Sequence, residues 1–424
     1  MDIFEWKLSS GGDPGLRPRG VRTSPSLVES SRKGLILQNK LESVMAMRVR
    51  ALLDLIPNDI LEKIGKDFEV DHFYQKLTGL KMFKILLYSL AETTRISLRT
   101  MECAYNYLFA NLETTRHSSL SDRLRKIKPV YFEQIFKHLV SSYHSKFSSK
   151  YKNVYRFDST LMGLSARLMK NVGQNYGGCL DKMHFKITIG QKGLIPSSVR
   201  FCTKESEASE DVALKQAILE ATIESDDIVL FDRGLAGGKN LVEIDQADIK
   251  FITRVAVDRR HKVLETFPAT TNSTETAKIL SDQKILLLKR EKTSFKTQFR
   301  LIKIQSLQSG EILWFLTNIF TLEADEIAEL YRRRWDIEVF FRFIKQELNL
   351  KHFLALNLNG MMVYVYMILI FAILLLVYKT ENNLTGYKLV KMAFFRELEI
   401  EITADVVEKY GGDKNRYLQD WGLV

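Results

Sequence analysis

The chain has 424 residues, of which 46% are hydrophobic and 27% are charged, a composition that excludes wholesale disorder. This length predicts two or three domains with at least one large core. Lysine and arginine number 62 against 51 acidic residues, and the resulting net charge of +11 favours a polyanionic partner, either nucleic acid or an anionic membrane surface. The three cysteines, Cys103, Cys179 and Cys202, are too few for a disulfide scaffold and suit a reducing cytoplasm.

The N-terminal part divides into a tail and a helical domain. Residues 1–44 are rich in glycine, proline, serine and arginine and have no periodic apolar face, so we expect a basic, disordered tail. Residues 45–150 have helical periodicity, and we expect an all-helical domain there. Its predicted helices cover residues 51–64, 80–91, 98–109 and 131–143.

A short basic helix is predicted at residues 118–128, between a serine-rich turn and Pro129. A short basic helix after such a turn is typical of helix-turn-helix proteins, which insert it into the major groove of DNA. On this interpretation Arg123 and Lys126 contact DNA. The alternative is a solvated basic helix face without a ligand.

After residue 150 the periodicity becomes that of strands. Strands are expected at 154–160, 183–190, 195–201, 228–234 and 249–257, and helices at 211–221 and 239–244. This order predicts an α/β fold, with a mixed sheet covered by helices. The core would comprise residues 151–257 and 321–380, interrupted by a β-rich, basic insertion at 258–320 and followed by a helical extension at 381–424.

Residues 361–378 are an uninterrupted run of apolar and aromatic side chains. A helix of this length spans about 27 Å, which is enough to cross the core of a bilayer. A helix buried in the centre of a large domain is also apolar all round. We favour the buried helix and expect no membrane association, because nothing else in the chain is typical of a membrane protein.

Two aspartates end predicted strands. Asp158 lies at the polar end of the strand predicted at 154–160, and Asp232 lies in the same place on the strand predicted at 228–234. The carboxyl ends of strands gather at one edge of a sheet, where α/β sites form, and two acids there repel each other unless a cation or a proton lies between them. Alternatively, each aspartate caps the turn that follows it.

A third acid lies on the helix that we expect from Ala324 to about Leu348. On one continuous helix, Tyr331, Arg334, Glu338 and Lys345 fall on a stripe about 60° wide. A carboxylate flanked by these side chains is suited to a site that holds phosphate. The alternative is an exposed helix with an Arg334–Glu338 ion pair.

Together these residues resemble a known signature. Asp158 stands in D-S-T, Asp232 in D-R-G, and the helix carries Y-x2-R-x3-E-x6-K from Tyr331 to Lys345. The pattern resembles the insertion sequence four family of bacterial DDE transposases, over roughly residues 80–378. The β-rich insertion between the second aspartate and the glutamate belongs to the same resemblance.

The resemblance implies a ribonuclease H-like catalytic core, a helical DNA-binding domain and a homodimer that holds two element ends. Asp158, Asp232 and Glu338 would bind two Mg²⁺ ions, with Mn²⁺ as a substitute, for DNA cleavage and strand transfer without a covalent protein–DNA bond. Arg334 and Lys345 would hold phosphates, with Tyr331 beside them. The partners would be double-stranded DNA at the terminal inverted repeats and at the target, in the bacterial cytoplasm at the nucleoid.

Several further residues are softer candidates for DNA contact. Trp335 could stack on an unpaired base or pack in the core. The insertion contributes Trp314, Arg259, Arg260, Lys289 and Arg290. Cys179, His184 and Cys202 form only a loose group without a C-x2-C pair, so we do not expect a zinc site.

Other classes of protein share parts of this pattern. A ribonuclease H-like nuclease would use the same acids without strand transfer, and an inactive relic would bind DNA without cutting it. A tyrosine recombinase would use Tyr331 as its nucleophile and would not need three acids.

Overall fold

The computed structural model describes residues 47–92, 96–109, 114–146, 153–163, 174–175, 183–202, 209–235, 237–268, 277–289, 293–350, 352–355 and 357–423. The expected tail at 1–44, Cys179, Arg290 and the side chain of His184 lie outside this description, so those expectations stay predictions.

The N-terminal region is helical, as predicted. Its helices are α1 (Val49–Leu53), α2 (Asn58–Asp67), α3 (Gly79–Ala91), α4 (Leu98–Phe109), α5 (His117–Lys126) and α6 (Pro129–Lys146). The single helix expected at 51–64 is wrong, because Pro57 caps α2 in an extended conformation and separates it from α1. Pro129 is the first residue of α6, a position where its missing N–H costs no helical hydrogen bond.

The rest of the chain builds one large sheet and the helices around it. The strands are β1 (Val154–Gly163), β2 (Gln174–Asn175), β3 (Met183–Lys192), β4 (Ile195–Cys202), β5 (Ile228–Phe231), β6 (Lys250–Val255), β7 (His261–Thr266), β8 (Ala277–Leu288), β9 (Ser294–Ser306) and β10 (Ile312–Thr317). The helices are α7 (Glu210–Glu220), α8 (Gly238–Gln246), α9 (Ala324–Arg332), α10 (Trp335–Gln346), α11 (Leu358–Glu381), α12 (Tyr387–Lys409) and α13 (Lys414–Asp420).

The strand order is β2-β3-β1-β5-β6-β10-β9-β8-β7, with β4 also paired to β3. Strands β1, β5 and β6 run parallel, and the remaining pairs are antiparallel. This mixed sheet flanked by helices confirms the predicted α/β class. The β-rich segment does not form a separate layer, because β10 pairs with both β6 and β9 and so joins it to the same sheet.

The two faces of the sheet are covered by different helices. On one face α7 and α8 pack on a cluster that contains Phe157, Val229 and Phe251. On the other face α9 packs on a cluster that contains Leu230, Ile252 and Phe315. Alternate residues of β5 therefore enter opposite cores, as expected for a central strand.

The long apolar helix α11 lies inside the protein. Within the described ranges it is the one helix long and apolar enough to cross a membrane, and 94% of its most apolar window is buried inside the structure. It contacts α3, α5, α6, α12 and β4. This packing is what the interpretation as a core helix predicts.

Candidate active site

Asp158 lies in the middle of β1, and Asp232 directly follows the last residue of β5, the neighbouring parallel strand. The ladder pairs Val154 with Ile228 and Arg156 with Leu230, so each aspartate lies two residues beyond the last pair. Residues two apart on a strand share a face. Val154 belongs to the core under α9, so Asp158 is on the face that carries α9, and the charge of Asp232 acts on Tyr331 and Arg334 beside the same face.

Each aspartate accepts a hydrogen bond from the next residue in the chain. The Ser159 amide donates to Asp158 Oδ1 at 2.7 Å, and the Arg233 amide donates to Asp232 Oδ1 at 2.7 Å. The Ser159 hydroxyl is 2.8 Å from the Thr188 hydroxyl on β3. Asp232 therefore caps the short turn that follows it, as the alternative expected, whereas Asp158 caps no turn because β1 continues to Gly163; each contact engages one carboxylate oxygen.

The helix of the third acid differs from the prediction. The continuous helix from 324 to about 348 is wrong, because the chain turns at Arg333 and Arg334 between α9 and α10. Tyr331 ends in the core under α9, 8% exposed, with its ring 4.6 Å from that of Phe315. Arg334 is the N-cap residue of α10, and its guanidinium lies 2.5 Å from Glu338 Oε1 and 5.9 Å from the centre of the Tyr331 ring. The four residues of the predicted stripe therefore lie on two successive helices rather than on one, but Arg334 still contacts both Tyr331 and Glu338.

A cleft of about 520 Å³ opens between β1 and α10. Its walls include Asp158 and Ser159 from β1 and Glu338, Phe341 and Lys345 from α10. The Lys345 ammonium lies 5.2 Å from the centre of the Phe341 ring. Two of the three predicted acids and one of the two predicted phosphate ligands thus face one open space.

The electrostatics connect these side chains to Asp232 as well. Burial and the charges of Glu338 and Glu210 raise the pKa of Asp158, the Ser159 amide and Arg334 oppose this rise, and the net result is a pKa of about 6. Burial lowers the pKa of Arg334, but the hydrogen bond to Glu338 and the charge of Asp232 outweigh it and hold that pKa above its ordinary value. Arg334 therefore interacts with all three acids.

Glu210, the first residue of α7, is a fourth acid at this site that the sequence did not single out. A Cβ atom on Gly234 would lie 2.9 Å from the Glu210 carboxyl carbon, so this side chain lies over the glycine of D-R-G. Glu210 also contributes to the raised pKa of Asp158. In the sequence, Glu210 stands only directly before the helix predicted at 211–221, and this position does not indicate a functional site.

Arg123 is corrected from a DNA ligand to an interior residue. It is 2% exposed, and its guanidinium donates to the Leu77 carbonyl, the Val70 carbonyl and Asp71. A guanidinium held by three acceptors inside the helical domain does not reach a phosphate. Lys126 is exposed on the same helix and pairs with Asp122 at 2.9 Å. Because it lies at the surface, its contact with DNA stays a prediction.

The aromatic candidates also differ from each other. Trp335 is 54% exposed at the first turn of α10, one residue from Arg334. Trp314 is partly buried against the core under α7 and α8, with the Lys303 ammonium 4.3 Å from its ring centre. The Trp335 ring is therefore accessible to a base, whereas the Trp314 ring packs against the core. Of the basic candidates, Arg260 is exposed, whereas Arg259 is half-buried.

Another acidic cluster lies at the opposite end of β5. Glu224, Asp226 and Asp227 have oxygens within 4.8 Å of one another, a grouping found nowhere else in the described residues. The Lys192 ammonium already binds Asp227 at 2.8 Å and Glu224 at 3.0 Å. Lys192 thus offsets part of the charge of this cluster within the chain.

The residues at the β1–β5 edge fit a divalent cation. Asp158, Asp232 and Glu338 offer carboxylate oxygens, the ligands that Mg²⁺ and Mn²⁺ prefer. Asp158 is largely buried beside the like charges of Glu338 and Glu210, and a bound cation would offset this unfavourable arrangement.

Comparison with known proteins identifies the family. A family profile described as Transposase DDE domain matches residues 154–375, just over half of the chain. The protein y4zB of Sinorhizobium fredii, which carries a transposase name, is 27% identical over 163 residues, 38% of this chain and 46% of that protein. The chain thus aligns with less than half of that relative.

Two other similarities extend further along the chain. The Synechocystis protein named as the transposase for insertion sequence element IS4SA is 22% identical over 317 residues, 74% of this chain and 86% of that protein. The piggyBac transposase in a synaptic complex with hairpin DNA has a TM-score of 0.48 and 10% identity, over 90% of this chain and 85% of that one. The family match over residues 154–375 confirms the resemblance found in the sequence, and the chain belongs to the DDE transposase family.

Proposed function

We propose that the protein is a transposase that cuts DNA at the ends of an insertion sequence and joins these ends to target DNA. The observation that carries the proposal is the placement of Asp158 and Asp232 two residues beyond the last paired residues of neighbouring parallel strands, with Glu338 facing Asp158 across an open cleft. The family to which the chain belongs performs phosphoryl transfer with divalent metal ions. The three acids are the residues that would hold these ions.

A pair of divalent ions supplies stabilisation of the attacking and leaving oxygens in phosphoryl transfer. The chain's own contribution is the placement of the ligands. Asp158 and Asp232 are fixed by the sheet register and by the amides of Ser159 and Arg233. Glu338 is held differently, because Arg334 already binds its Oε1 atom. A cation would bind Glu338 either through the second carboxylate oxygen or after Arg334 has released the first one.

The basic side chains around the cleft would bind the substrate backbone. Arg334 is suited to bidentate phosphate recognition once it leaves Glu338, and Lys345 provides a point charge on the same helix. Exposed Trp335 would stack on a base beside the cut. The substrate would be double-stranded DNA, bound at the terminal inverted repeats and at the target by a homodimer in the bacterial cytoplasm at the nucleoid.

The rival activities receive less support. Tyr331 is a poor nucleophile for a tyrosine recombinase, because its hydroxyl is buried and burial raises its pKa. A ribonuclease H-like nuclease without strand transfer shares every feature of the acids, so products rather than geometry separate it from a transposase. An inactive relic would bind DNA and fail to cut it.

The test uses linear DNA that carries the flanking ends of the element, with Mg²⁺ or Mn²⁺. Wild type should nick at the ends and transfer the freed 3′ ends, whereas Glu338→Gln should bind the ends and cut at least 100-fold more slowly. Glu329→Gln is the matched control, because Glu329 lies on α9 and pairs with Arg332, outside the cleft. Cleavage without end specificity or transfer would support the nuclease, and equal cleavage by the Glu338 variant would place the site elsewhere.

A further inference from the structure

A buried arginine lies on β1 two residues before Asp158. Arg156 is 2% exposed, although arginine is almost never fully buried unless its charge is paired. Residues two apart on a strand share a face, so its side chain leaves β1 on the same side as that of Asp158. On that side the chain turns from α9 into α10.

The Arg156 guanidinium has three partners in two other segments. Its Nε donates to the Arg333 carbonyl at 2.6 Å, in the turn between α9 and α10. Its second nitrogen donates to the Gly193 carbonyl at 2.9 Å, in the turn between β3 and β4. Its third lies 3.0 Å from Asp336 in the first turn of α10. One planar group thus joins β1 to the start of the helix that carries Glu338.

The contacts to the two carbonyls are the strong part of this arrangement. Asp336 is 55% exposed, so water screens its charge and the ion pair alone stabilises little. The guanidinium itself is buried, and a buried charge without partners is strongly unfavourable. The hydrogen bond between the buried Arg156 guanidinium and the Arg333 carbonyl therefore holds the turn between α9 and α10 against β1.

This turn determines the direction of α10. The Arg333 carbonyl also accepts a hydrogen bond from the Asp336 amide at 3.1 Å. The same oxygen therefore binds both the first turn of α10 and Arg156. Glu338 lies five residues after Arg333, about 7.5 Å further along the helix axis. Movement of the anchor would shift Glu338 relative to Asp158, which is on the same strand as Arg156.

We propose that Arg156 is a positioning residue that sets the separation of Asp158 and Glu338 by anchoring the first turn of α10 to β1. The inference rests on the proposed function only in that these two acids hold the cation. Support residues of this kind typically change metal affinity or activity by about 10- to 100-fold when they are replaced.

The chain offers a matched control. Arg300 on β9 is also buried, at 6% exposure, and it also binds a carboxylate and a carbonyl, those of Asp282 and Leu322. It does not contact α10 in the described structure. Arg300→Gln therefore removes a comparable buried ion pair from the same sheet without releasing the anchor of Glu338.

The first measurement is hydrogen–deuterium exchange of the full chain without metal. Arg156→Gln should speed amide exchange at residues 335–341 by about 10-fold or more, whereas Arg300→Gln should leave these amides at the wild-type rate. The second measurement is Mn²⁺ binding by calorimetry, in which Arg156→Gln should weaken binding by about 10-fold. In the end-cleavage assay the same variant should be slower by about 100-fold, because small misplacements of reacting groups are costly.

Two gentler variants keep the test decisive if Arg156→Gln does not fold. Asp336→Asn removes one exposed partner and should give a smaller change of the same kind. Arg156→Lys keeps the charge but cannot bridge the two carbonyls with a planar fork, so it should fall between wild type and Arg156→Gln.

Unchanged exchange at α10 and unchanged Mn²⁺ affinity in these variants would overturn the inference. Equal changes in the Arg156 and Arg300 variants would also overturn it, since Arg156 would then stabilise only the fold as a whole. If wild type cuts no DNA, the proposed function fails, while exchange and Mn²⁺ binding still decide the role of Arg156.

Discussion

Burial rather than sequence context gives Asp158 its unusual chemistry. The resemblance to a known family identified this residue, and the D-S-T motif placed it after a strand, but neither feature indicates how far it is covered. In the structure burial raises its pKa to about 6, from an ordinary value of 3.8. Between these values the folded chain holds a proton that the unfolded chain has lost, so the free energy of unfolding falls as the pH rises through this window.

Asp158→Asn should therefore raise the melting temperature at pH 7.5 in the presence of a chelator, by about 1 °C for each kcal/mol gained in a chain of this length. The gain should shrink towards pH 5, because wild-type Asp158 is then largely protonated. Calorimetry over a pH series measures both effects. Asp248→Asn is the control, because Asp248 is exposed at a φ of 56° that asparagine tolerates. A gain that does not change with pH would contradict burial as the cause.

The protonation of Asp158 also limits activity. A protonated carboxyl is a poor ligand for a divalent cation, so the rate of end cleavage should fall by about tenfold for each pH unit below about 6. Raising the Mn²⁺ concentration should shift this fall to lower pH, since the cation competes with the proton. A cleavage rate that is flat between pH 5 and pH 7 would show that Asp158 does not bind the ion as a carboxylate.

Two glycines near the site differ in what surrounds them. A Cβ on Gly190 would lie 2.6 Å from the Phe157 ring and 2.8 Å from the Tyr155 ring, both in the core. A Cβ on Gly234 would meet only the movable end of Glu210. Gly190→Ala should cost about 1–3 kcal/mol of unfolding free energy, and Gly234→Ala within about 0.5 kcal/mol. Urea unfolding measures both, and equal costs would contradict this account of the two sites.

At the scale of secondary structure elements, periodicity predicted most of the strands and helices because each buries a face of its own. The apolar runs at 228–234 and 249–257 became β5 and β6, and the helices at 211–221 and 239–244 became α7 and α8. The failure at Arg333 has a non-local cause. Its carbonyl bonds to Arg156 on β1, and no helical period within residues 324–348 reveals that contact.

The sequence predicted that Asp158 and Asp232 lie at one edge of the sheet, but not which strands lie side by side. The parallel pairing of β1 with β5 depends on contacts that segment order alone does not determine. Glu210 and Arg156 went unnoticed for the same reason, because each becomes part of the site only through a neighbour distant in sequence. The family resemblance supplied the three acids, and the fold supplied the residues that support them.

The basic helix α5 carries one buried arginine, Arg123, and two exposed basic residues, Arg125 and Lys126. Arg123→Ala should destabilise the helical domain by about 3–5 kcal/mol, because it leaves Asp71 without its buried partner. Replacement of the exposed Arg125 and Lys126 by alanine should leave stability unchanged and weaken binding to element ends. If both contact phosphates, the slope of log K against log salt should fall by about two. End affinity that is insensitive to the double variant would move the DNA-reading surface away from α5.

At the scale of the whole molecule, α11 is the centre around which the N-terminal and C-terminal helices pack. Its neighbours include α3, α5 and α6 from the helical region and α12 from the C-terminal extension. Glu397 on α12 joins these parts, since it accepts a hydrogen bond from the Val49 amide at 3.2 Å and from the Tyr378 hydroxyl at 2.9 Å. Burial raises the pKa of Glu397, and these two donors partly oppose that rise.

Glu397→Ala should therefore destabilise the protein more than a typical substitution. It removes the acceptor of the Val49 amide and of the Tyr378 hydroxyl, and the loss of a buried hydrogen-bond acceptor of this kind costs about 1–3 kcal/mol. Glu397→Gln keeps one acceptor oxygen and should lose less than half as much. Urea unfolding measures the loss, with Glu399→Ala as the control because Glu399 accepts the Tyr88 hydroxyl at a partly exposed site. If Glu397→Ala costs no more than this control, Glu397 does not hold α1 and α11 together, and apolar packing alone accounts for their association.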